Sequence, residues 1–321
     1  MLAAAELNAH GGICGRQVEL CAADAGGSPE AVVERTRALV EAQQVDALIG
    51  VHLSNVRVAL RDEFAGRLPY VFAPLYEGGE NAPGVFAIGE TPQRQFPDVV
   101  RWLMESHGVM RWLFVGNDYI WPRATHAAVR KFVEEEGGEV AGESYVGLGS
   151  GNVAQTVAQI KRLRPQVVFD SFVGSDSVQF NRAFARAGLA EHCLRLSGAV
   201  EENTLLGIGA RNTRNLYCVG GYFNALRTQE NREFLGRYQD AFGATAPVQS
   251  SLSQSCYEGL KFFAALADSA GDLEIDSLRS AFEGLRFHGA RGLAVVRRGE
   301  VQSPLYLARA SGVHFKVIHQ F

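Results

Sequence analysis

Short apolar segments alternate with amphipathic helical patterns along the first two thirds of the chain, and this alternation restricts the fold more than any other feature. Most segments are rich in Val, Ile, Leu and Phe without polar alternation, which is typical of strands buried on both faces of a parallel sheet. Repeated strand–helix units of about 25–35 residues predict an α/β architecture with parallel sheets. The predicted strands are residues 18–22, 45–51, 70–74, 85–88, 112–116, 140–146, 167–172, 194–197 and 216–222.

Helical patterns connect these strands. Ser28 and Pro29 form an N-cap followed by a proline at the first helical position. After Tyr222 two long helices follow each other directly, and three later strand-like runs, residues 293–297, 305–308 and 314–318, predict an antiparallel ribbon. The predicted helices are residues 1–10, 28–43, 55–65, 91–107, 122–136, 152–163, 175–187, 229–241, 247–269 and 276–285.

The length of 321 residues corresponds to two domains. No repeat, low-complexity tract or flexible linker separates them, so we expect short ordered crossings near residues 90–91, 222–225 and 284–289. The predicted N-terminal lobe is residues 1–90 and 225–284, and the predicted C-terminal lobe is residues 91–224 and 285–321.

Composition and charge exclude several classes of partner. The net charge is −4 and no basic block occurs, so no nucleic acid partner is expected. No apolar run reaches the roughly 18–20 residues of a membrane span, so no direct membrane insertion is expected. Residues 1–10 lack a secretory signal, and the cysteines are odd in number and scattered, which favours reduced thiols in the cytoplasm for the chain as it stands. These cysteines are Cys14, Cys21, Cys193, Cys218 and Cys256.

The beginning of the chain breaks the strand–helix alternation. Residues 1–10 have the pattern of the last turns of a helix that ends at Gly11 and Gly12, with no strand before it. We therefore expect that the chain is N-terminally shortened and that its first strand is missing. A signal sequence lost with that segment would place the protein in the periplasm.

Motifs for catalysis and for metal binding are absent. The sequence has no G-x-S-x-G, H-E-x-x-H or P-loop pattern, and its histidines do not cluster. Residues 147–151 are glycine-rich with turn spacing rather than dinucleotide-loop spacing. Asp118 and Glu77 are isolated acids, which are more often solvated, capping or bracing than catalytic. The sequence therefore predicts no enzyme activity, no cofactor and no metal site.

Polar and aromatic residues follow several predicted strands directly. They occupy residues 50–55, 70–78, 116–123 and 169–175. In open α/β sheets ligands bind at the carboxyl ends of the strands, where helix N-termini direct unpaired N–H groups into the crevice. These four segments predict a small-molecule binding site.

These segments carry a family resemblance over essentially the whole chain except the missing first strand. LNAHGGICGR at residues 7–16 and DAGGSP at residues 24–29 resemble the opening of type I periplasmic binding proteins. LYEG at 75–78, GNDYIWPR at 116–123 and VGS at 173–175 are similar to the amide- and urea-binding branch, which includes the amide sensor of bacterial amidase operons.

The resemblance implies a type I periplasmic-binding-protein fold and a non-catalytic function. Each of two lobes would be a mainly parallel sheet flanked by helices, with a ligand cleft between the lobes and hinge closure on a small solute. It implies a small-molecule ligand as partner, together with a regulatory protein in a sensor or an ABC permease in a transporter, and it leaves a homodimer open.

The resemblance also assigns residues to ligand binding. Ser54, taken as a helix N-cap, matches the hydroxyl and helix N–H that hold a carbonyl or carboxylate, and Tyr119 and Trp121 match the aromatic cover from the second lobe. The amide sensor has Tyr at the positions of His52, Phe72 and Trp121, so the ligand differs in detail. The full predicted set is Ser54, His52, Phe72, Ala73, Leu75, Tyr119, Trp121, Phe172 and Tyr222.

The predicted function is binding of a small polar solute, a short-chain amide or urea, by a ligand sensor of an amidase-type operon or by a solute receptor. The alternative is the substrate-binding component of an ABC transporter for branched-chain or other amino acids. Amino-acid-binding relatives use an acid for the ligand's ammonium, and Glu201 and Glu202 lie in the corresponding region without aligning cleanly.

Overall fold

The chain divides into two compact units, of which the first contains two small sheets and the second contains one large sheet. The computed structural model describes residues 1–321, and no helix in it has the length and apolar composition needed to cross a lipid bilayer. Unit 1 comprises Met1–Glu90, Arg227–Pro247 and Leu252–Ser303, and unit 2 comprises Thr91–Leu226, Val248–Ser251 and Pro304–Phe321.

Unit 1 is built on a three-stranded parallel sheet in the order β1-β2-β3. Val32, Leu60 and Phe64 from two helices pack with Tyr70 and Phe72 of the sheet in one apolar cluster. The strands are β1 (Leu48–Gly50), β2 (Tyr70–Phe72) and β3 (Val85–Ala87), and the helices are α1 (Leu2–Ala9), α2 (Pro29–Gln43), α3 (Ser54–Phe64), α10 (Gln229–Phe242), α11 (Ser251–Ala270) and α12 (Ile275–Phe282). A separate antiparallel sheet contains β9 (Arg286–Gly289), β10 (Gly292–Arg297) and β11 (Glu300–Gln302).

Unit 2 is built on a seven-stranded sheet in the order β13-β12-β8-β7-β6-β4-β5. Five strands are parallel, and β12 and β13 extend the sheet antiparallel to β8. The strands are β4 (Arg111–Asn117), β5 (Glu139–Val146), β6 (Val167–Ser171), β7 (Leu194–Ser197), β8 (Leu216–Gly220), β12 (Tyr306–Ser311) and β13 (His314–Gln320). The helices are α4 (Pro92–Gln95), α5 (Pro97–His107), α6 (Ile120–Glu135), α7 (Ala154–Leu163), α8 (Gly174–Arg186) and α9 (Glu202–Ile208).

Both faces of this sheet are covered, which explains the continuous apolar runs. Phe114 and Phe169 face a core made with α5 and α6, whereas their neighbours Leu113 and Val168 face a core made with α7 and α8. Alternate side chains of one strand point to opposite faces, so every position needs an apolar residue. The predicted α/β class with parallel sheets is confirmed.

Eight of the nine predicted strands of the first two thirds are present, and the prediction for residues 18–22 is wrong. Leu20 is largely exposed, and the N–H and C=O of Val18 pair with the side-chain amide of Asn8 at 2.6 and 3.0 Å instead of a neighbouring strand. A strand needs a ladder partner, and none lies beside this segment. Helix α9 was not predicted because its seven residues are too few to show a helical period.

The three strands of the predicted antiparallel ribbon are divided between the small antiparallel sheet of unit 1 and the seven-stranded sheet of unit 2. Strand β10 pairs with β9 and β11 in unit 1, whereas β12 and β13 join unit 2, so residues 285–303 belong to unit 1 rather than to the second lobe. Arg291, in the turn between β9 and β10, explains the difference. Its guanidinium is buried between Glu90, at 2.6 Å, and Glu258, both in unit 1. This ion-paired turn fixes the hairpin to unit 1.

The contact between α11 and the sheet gives a stability prediction. A Cβ at Gly259 would lie 2.9 Å from Ile49 and 3.3 Å from Ala73, whereas a Cβ at the exposed Gly236 of α10 would meet nothing within 4 Å. We expect Gly259→Ala to lower the free energy of unfolding by about 1–3 kcal/mol through overpacking. The control Gly236→Ala should raise it by about 0.5–1 kcal/mol through helix propensity. Urea titrations measure both, and equal stabilisation by the two variants would contradict the packing.

Candidate functional site

The carboxyl edge of the unit 1 sheet begins with the N-terminus of α3. Ser54 is the first residue of this helix, and the N-cap is Leu53, whose side chain cannot accept a hydrogen bond, so the expected N-cap role of Ser54 is corrected by one position. The first N–H groups of α3 therefore have no intrahelical or side-chain acceptor. Ser54 is only 3% exposed, and its hydroxyl lies at the start of this helix. Together these donors suit a carbonyl or carboxylate oxygen.

His52 lies on the same edge with both ring nitrogens engaged. Nδ1 lies 3.2 Å from the Leu53 carbonyl, which only accepts, so Nδ1 carries the proton. Nε2 then accepts from the Tyr70 hydroxyl at 2.9 Å, and the ring packs against Phe72. Burial lowers the pKa of His52 to about 4, so the ring is neutral near pH 7. His52 offers an apolar ring face rather than a hydrogen bond.

The segment after β2 supplies a wall. Phe72 ends β2 and is buried, and Leu75 is half-buried. The N–H of Ala73, a residue of the predicted set, donates to the Gly50 carbonyl at 3.1 Å, so this N–H is already used within the unit. These residues provide apolar surface next to the donors of α3.

The charged groups near this edge form ion pairs with one another. Arg57, one turn into α3 and only 3% exposed, bonds Glu77 at 2.6 Å and also bonds Glu80. Glu77 is thus a brace within unit 1, as its isolated position suggested. Unit 1 therefore places no unpaired Arg57 or Glu77 charge beside Ser54, and an oxygen bound there depends on neutral donors and on the helix N-terminus.

The carboxyl edge of the unit 2 sheet places four segments in a row. They follow β8, β7, β6 and β4, which are adjacent and parallel in that order, so their ends meet at one edge. Tyr222, Glu202, Phe172 and Tyr119 lie in these segments. Unit 2 therefore brings together all of its residues that the sequence assigned to ligand binding.

Tyr119 and Trp121 form the aromatic part of this edge. Tyr119 is the N-cap of α6 and is half-buried, and its ring centroid lies 6.5 Å from that of Trp121. Trp121 is 1% exposed, and its Nε1–H has no hydrogen-bond partner. A buried indole N–H without a partner is rare because it loses its bond to water, so Trp121 is suited to donate to a bound molecule.

Phe172 and Tyr222 have different surroundings. The Phe172 ring is fully buried in a core of unit 2, 5.0 Å from the Phe180 ring centroid, so it supports the edge from behind. Tyr222 directly follows β8 and is 2% exposed. Phe172 therefore supports the loop after β6, and Tyr222 lies in the loop after β8.

Hydrogen bonds to the buried Asp176 carboxylate join three loops of this edge, and they were not predicted from the sequence. Asp176 accepts from Asn117 Nδ2 at 2.6 Å and from the N–H groups of Gly149 and Gly151 at 2.7 and 3.0 Å. Asn117 Oδ1 in turn accepts from the Val173 N–H at 2.9 Å. The loops after β4, β5 and β6 are thereby tied together. The glycine-rich segment at residues 147–151 is a turn whose N–H groups surround the Asp176 carboxylate. The one feature of the sequence that pointed to this arrangement was Asn117, a polar residue at the end of an apolar strand.

Glu202 is a second buried acid at this edge, and it is not fully hydrogen-bonded. One carboxylate oxygen accepts from the Asn224 N–H at 2.7 Å, and the other has no partner although the side chain is buried. Burial raises the pKa of Glu202 to about 7. The Glu202 carboxylate lies between the loops that follow β7 and β8, where it can accept a hydrogen bond or an ammonium from a bound molecule.

Catalytic arrangements are not formed at either edge. The closest resemblance is His126 Nε2 at 2.7 Å from Ser171 Oγ in unit 2, but the Ser171 hydroxyl itself donates to the Val115 carbonyl at 3.1 Å. His126 must then donate to Ser171, which is the reverse of nucleophile activation, and both residues are fully buried. No three His, Cys, Asp or Glu side chains form a metal-binding group.

Comparisons with known proteins agree with this architecture. The family model described as periplasmic binding protein matches residues 1–313. A solute-binding protein of an ABC transporter from Rhodopseudomonas palustris in complex with p-hydroxybenzoic acid is similar in fold, with a TM-score of 0.90, 18% identity, and coverage of 100% of this chain and 90% of that chain.

Two further solved structures share the fold. An ABC transporter substrate-binding protein from Sphaerobacter thermophilus has a TM-score of 0.84 and 21% identity, covering 100% of this chain and 92% of that chain. The leucine-, isoleucine-, valine-, threonine- and alanine-binding protein from Brucella ovis has a TM-score of 0.85 and 16% identity, covering 99% and 88%.

The family match extends over nearly the whole chain and agrees with the fold predicted from residues 7–16 and 24–29. The narrower similarity to the amide- and urea-binding branch stays a prediction. The chain belongs to the periplasmic binding protein family, whose members are non-catalytic solute-binding proteins.

Proposed function

We propose that this protein is the solute-binding component of an ABC transporter and that its solute carries an N–H donor together with a carbonyl or carboxylate oxygen. The observation that carries the proposal is the buried Glu202 carboxylate, which has one oxygen without a partner at the carboxyl edge of unit 2. In unit 1, Ser54 and the α3 N-terminus offer the complementary donors for an oxygen. The predicted cleft, with both edges contacting one solute, is part of this proposal.

An α-amino acid has this pair of groups. Its ammonium suits Glu202 and its carboxylate suits the first turn of α3. A solved structure of the same fold is named as a binding protein for leucine, isoleucine, valine, threonine and alanine, which supports this class. p-Hydroxybenzoic acid, the ligand named for another such structure, offers Glu202 only a phenolic O–H, and it would bring a second negative charge with no ammonium to balance it.

Short-chain amides and urea are the second candidate class. Arg57 and Arg291 each lie between two carboxylates, so neither leaves unpaired charge for a solute carboxylate in unit 1. A neutral carbonyl needs no such charge, and an amide N–H can donate to Glu202 in either protonation state. The sequence similarity at residues 75–78 and 116–123 favours this class as well.

A periplasmic location and an ABC permease as partner belong to the same proposal and are supported by the family. The sensor role with a regulatory protein depends on the sequence resemblance alone. Permease and ATPase genes beside this gene would support transport, and amidase genes would support the sensor.

A thermal-shift panel tests the solute class. L-leucine, L-glutamate, acetamide, urea and 4-hydroxybenzoate are titrated against the full chain. A solute that binds only the folded state stabilises it by about 2.7 kcal/mol at about 100 times its Kd. We expect a raised Tm with an amino acid and none with 4-hydroxybenzoate. A shift with acetamide or urea alone selects the second class, and no shift with any compound contradicts the proposal.

Tyr119 gives a prediction about the unit 2 edge. We expect Tyr119→Ala to raise the Kd of the panel's best solute at least about tenfold, about 1.4 kcal/mol, because an aromatic contact is lost. The control is Tyr238→Ala on α10 of unit 1, where the Tyr238 ring packs on Phe234 and Phe242. This control should leave the Kd unchanged. Calorimetric titration measures both, and an unchanged Kd for Tyr119→Ala would remove this residue from the site.

Glu202 gives a prediction about pH. Because its pKa in the folded protein is about 7, the group loses its proton as the pH rises from 6 to 8, and an ammonium solute gains attraction. The affinity for L-leucine should therefore rise over this range in the wild type and be flat and weaker in Glu202→Gln. Glu191→Gln, which removes an exposed carboxylate paired with Arg214, is the control and should keep the rise. A persisting rise in Glu202→Gln would contradict the assignment.

The same group affects the stability of the unliganded protein. Its pKa is raised above the unfolded value, so between about pH 4.5 and 7 the folded state holds a proton that the unfolded state has lost. Its contribution to stability is therefore present at low pH and decreases as the pH rises through about 7. Glu202→Gln should remove this decrease in urea titrations at several pH values.

A further inference from the structure

Helix α11 has two long polar side chains on its mostly apolar buried face, besides the small Ser255. They are Gln254 and Glu258, one turn apart, followed by Phe262 on the same face. Glu258 is accounted for by its ion pair with Arg291. Gln254 is fully buried, and neither its Oε1 nor its Nε2 has a hydrogen-bond partner. The structure of unit 1 alone gives no reason for an amide at this position.

The packing of α11 places Gln254 at the carboxyl edge of the unit 1 sheet. At Gly259 the helix lies against Ile49 and against Ala73, the residue after β2. Phe262, further along the helix, packs on Phe86 in the middle of β3, with ring centroids 6.3 Å apart. The helix therefore runs inward from the edge. Gln254 lies one turn, about 6 Å, nearer the helix N-terminus than Glu258, and its Cα–Cβ bond tilts further that way.

This edge is the one that contains the Ser54 hydroxyl and the first N–H groups of α3. A buried carboxamide that bonds nothing loses its bonds to water without replacement, so such groups are uncommon unless they bind a water molecule or a ligand. Gln95 in unit 2 provides a contrast. It is also buried and its Oε1 likewise has no partner, but its Nε2 donates to the Val219 carbonyl at 2.8 Å, which gives the side chain a structural role.

We propose that Gln254 is a specificity-determining contact of the solute site in unit 1, with Nε2 donating to a solute oxygen and Oε1 accepting from a solute N–H. This inference rests on the proposed function. The Gln254 carboxamide forms hydrogen bonds with both Nε2 and Oε1 only when the solute has an acceptor and a donor next to each other. A solute with a carboxylate and no N–H or O–H donor beside it leaves Oε1 without a partner, so Gln254 and Glu202 both favour solutes that carry a donor.

The test compares Gln254→Met with the matched control Gln95→Met, since methionine keeps the length and flexibility of glutamine without its polar atoms. Tm is measured without solute, and Kd is measured by calorimetry with L-leucine and acetamide. We expect Gln254→Met to keep or raise the Tm and to raise the Kd at least about tenfold. Gln95→Met should lower the Tm, because it leaves the Val219 carbonyl unpaired, and should keep the Kd.

The outcomes separate this inference from the proposed function. A Tm of Gln254→Met that falls as far as that of Gln95→Met makes the amide structural and overturns the inference, as does an unchanged Kd. Wild-type protein that binds neither probe overturns the proposed solute classes, and the inference with them. Gln254→Glu keeps the shape and adds a negative charge. If Gln254 faces the solute oxygen, this variant should weaken L-leucine more than acetamide, and equal weakening would overturn that orientation.

Discussion

The buried guanidinium of Arg291 is the interaction on which unit 1 depends. It joins three distant parts of the chain: Glu90 after β3, Glu258 on α11 and the β9–β10 turn. A charge buried this deeply is tolerated only when it is paired, and removing one partner of such a pair typically costs about 3–5 kcal/mol. A Cβ at Gly289 would overlap the Glu258 carboxylate, so a larger residue there would displace a group that is ion-paired with Arg291. The position of α11 follows, and with it the position of Gln254 at the edge of the sheet.

Unit 2 organises its edge with hydrogen bonds between buried carboxylates and neutral donors. Asp176 collects the Asn117 amide and two glycine N–H groups, and so holds the loop that begins with Tyr119. In both units the supporting charges are thus satisfied before any solute arrives. The buried polar groups without protein partners include the Gln254 amide, the Trp121 indole N–H and one oxygen of Glu202, and the Ser54 hydroxyl lies at the start of α3. Such a set favours a small solute with its own donor and acceptor over a strongly charged one.

Much of this arrangement could be predicted from the sequence, because local pattern determines it. Apolar runs without alternation identified the parallel strands, and the residues after those strands identified both edges. Residues 18–22 have strand composition, yet a strand also requires a neighbour, which local composition does not specify. The division of the last strands depended on the pairing of Arg291 with Glu90, 201 positions apart in the chain. Gln254 could be recognised as a candidate solute contact only from the structure, which pairs Glu258 with Arg291 and leaves the Gln254 amide without a partner.

A crystal structure of the protein grown with the solute that raises its Tm most tests the central claim directly. The account predicts one bound molecule, with an oxygen within hydrogen-bond distance of the Ser54 hydroxyl or the α3 N–H groups and with an N–H within hydrogen-bond distance of Glu202. Tyr119 or Trp121 should contact the same molecule. A solute bound away from these residues, or contacting the residues of one unit only, would contradict the account.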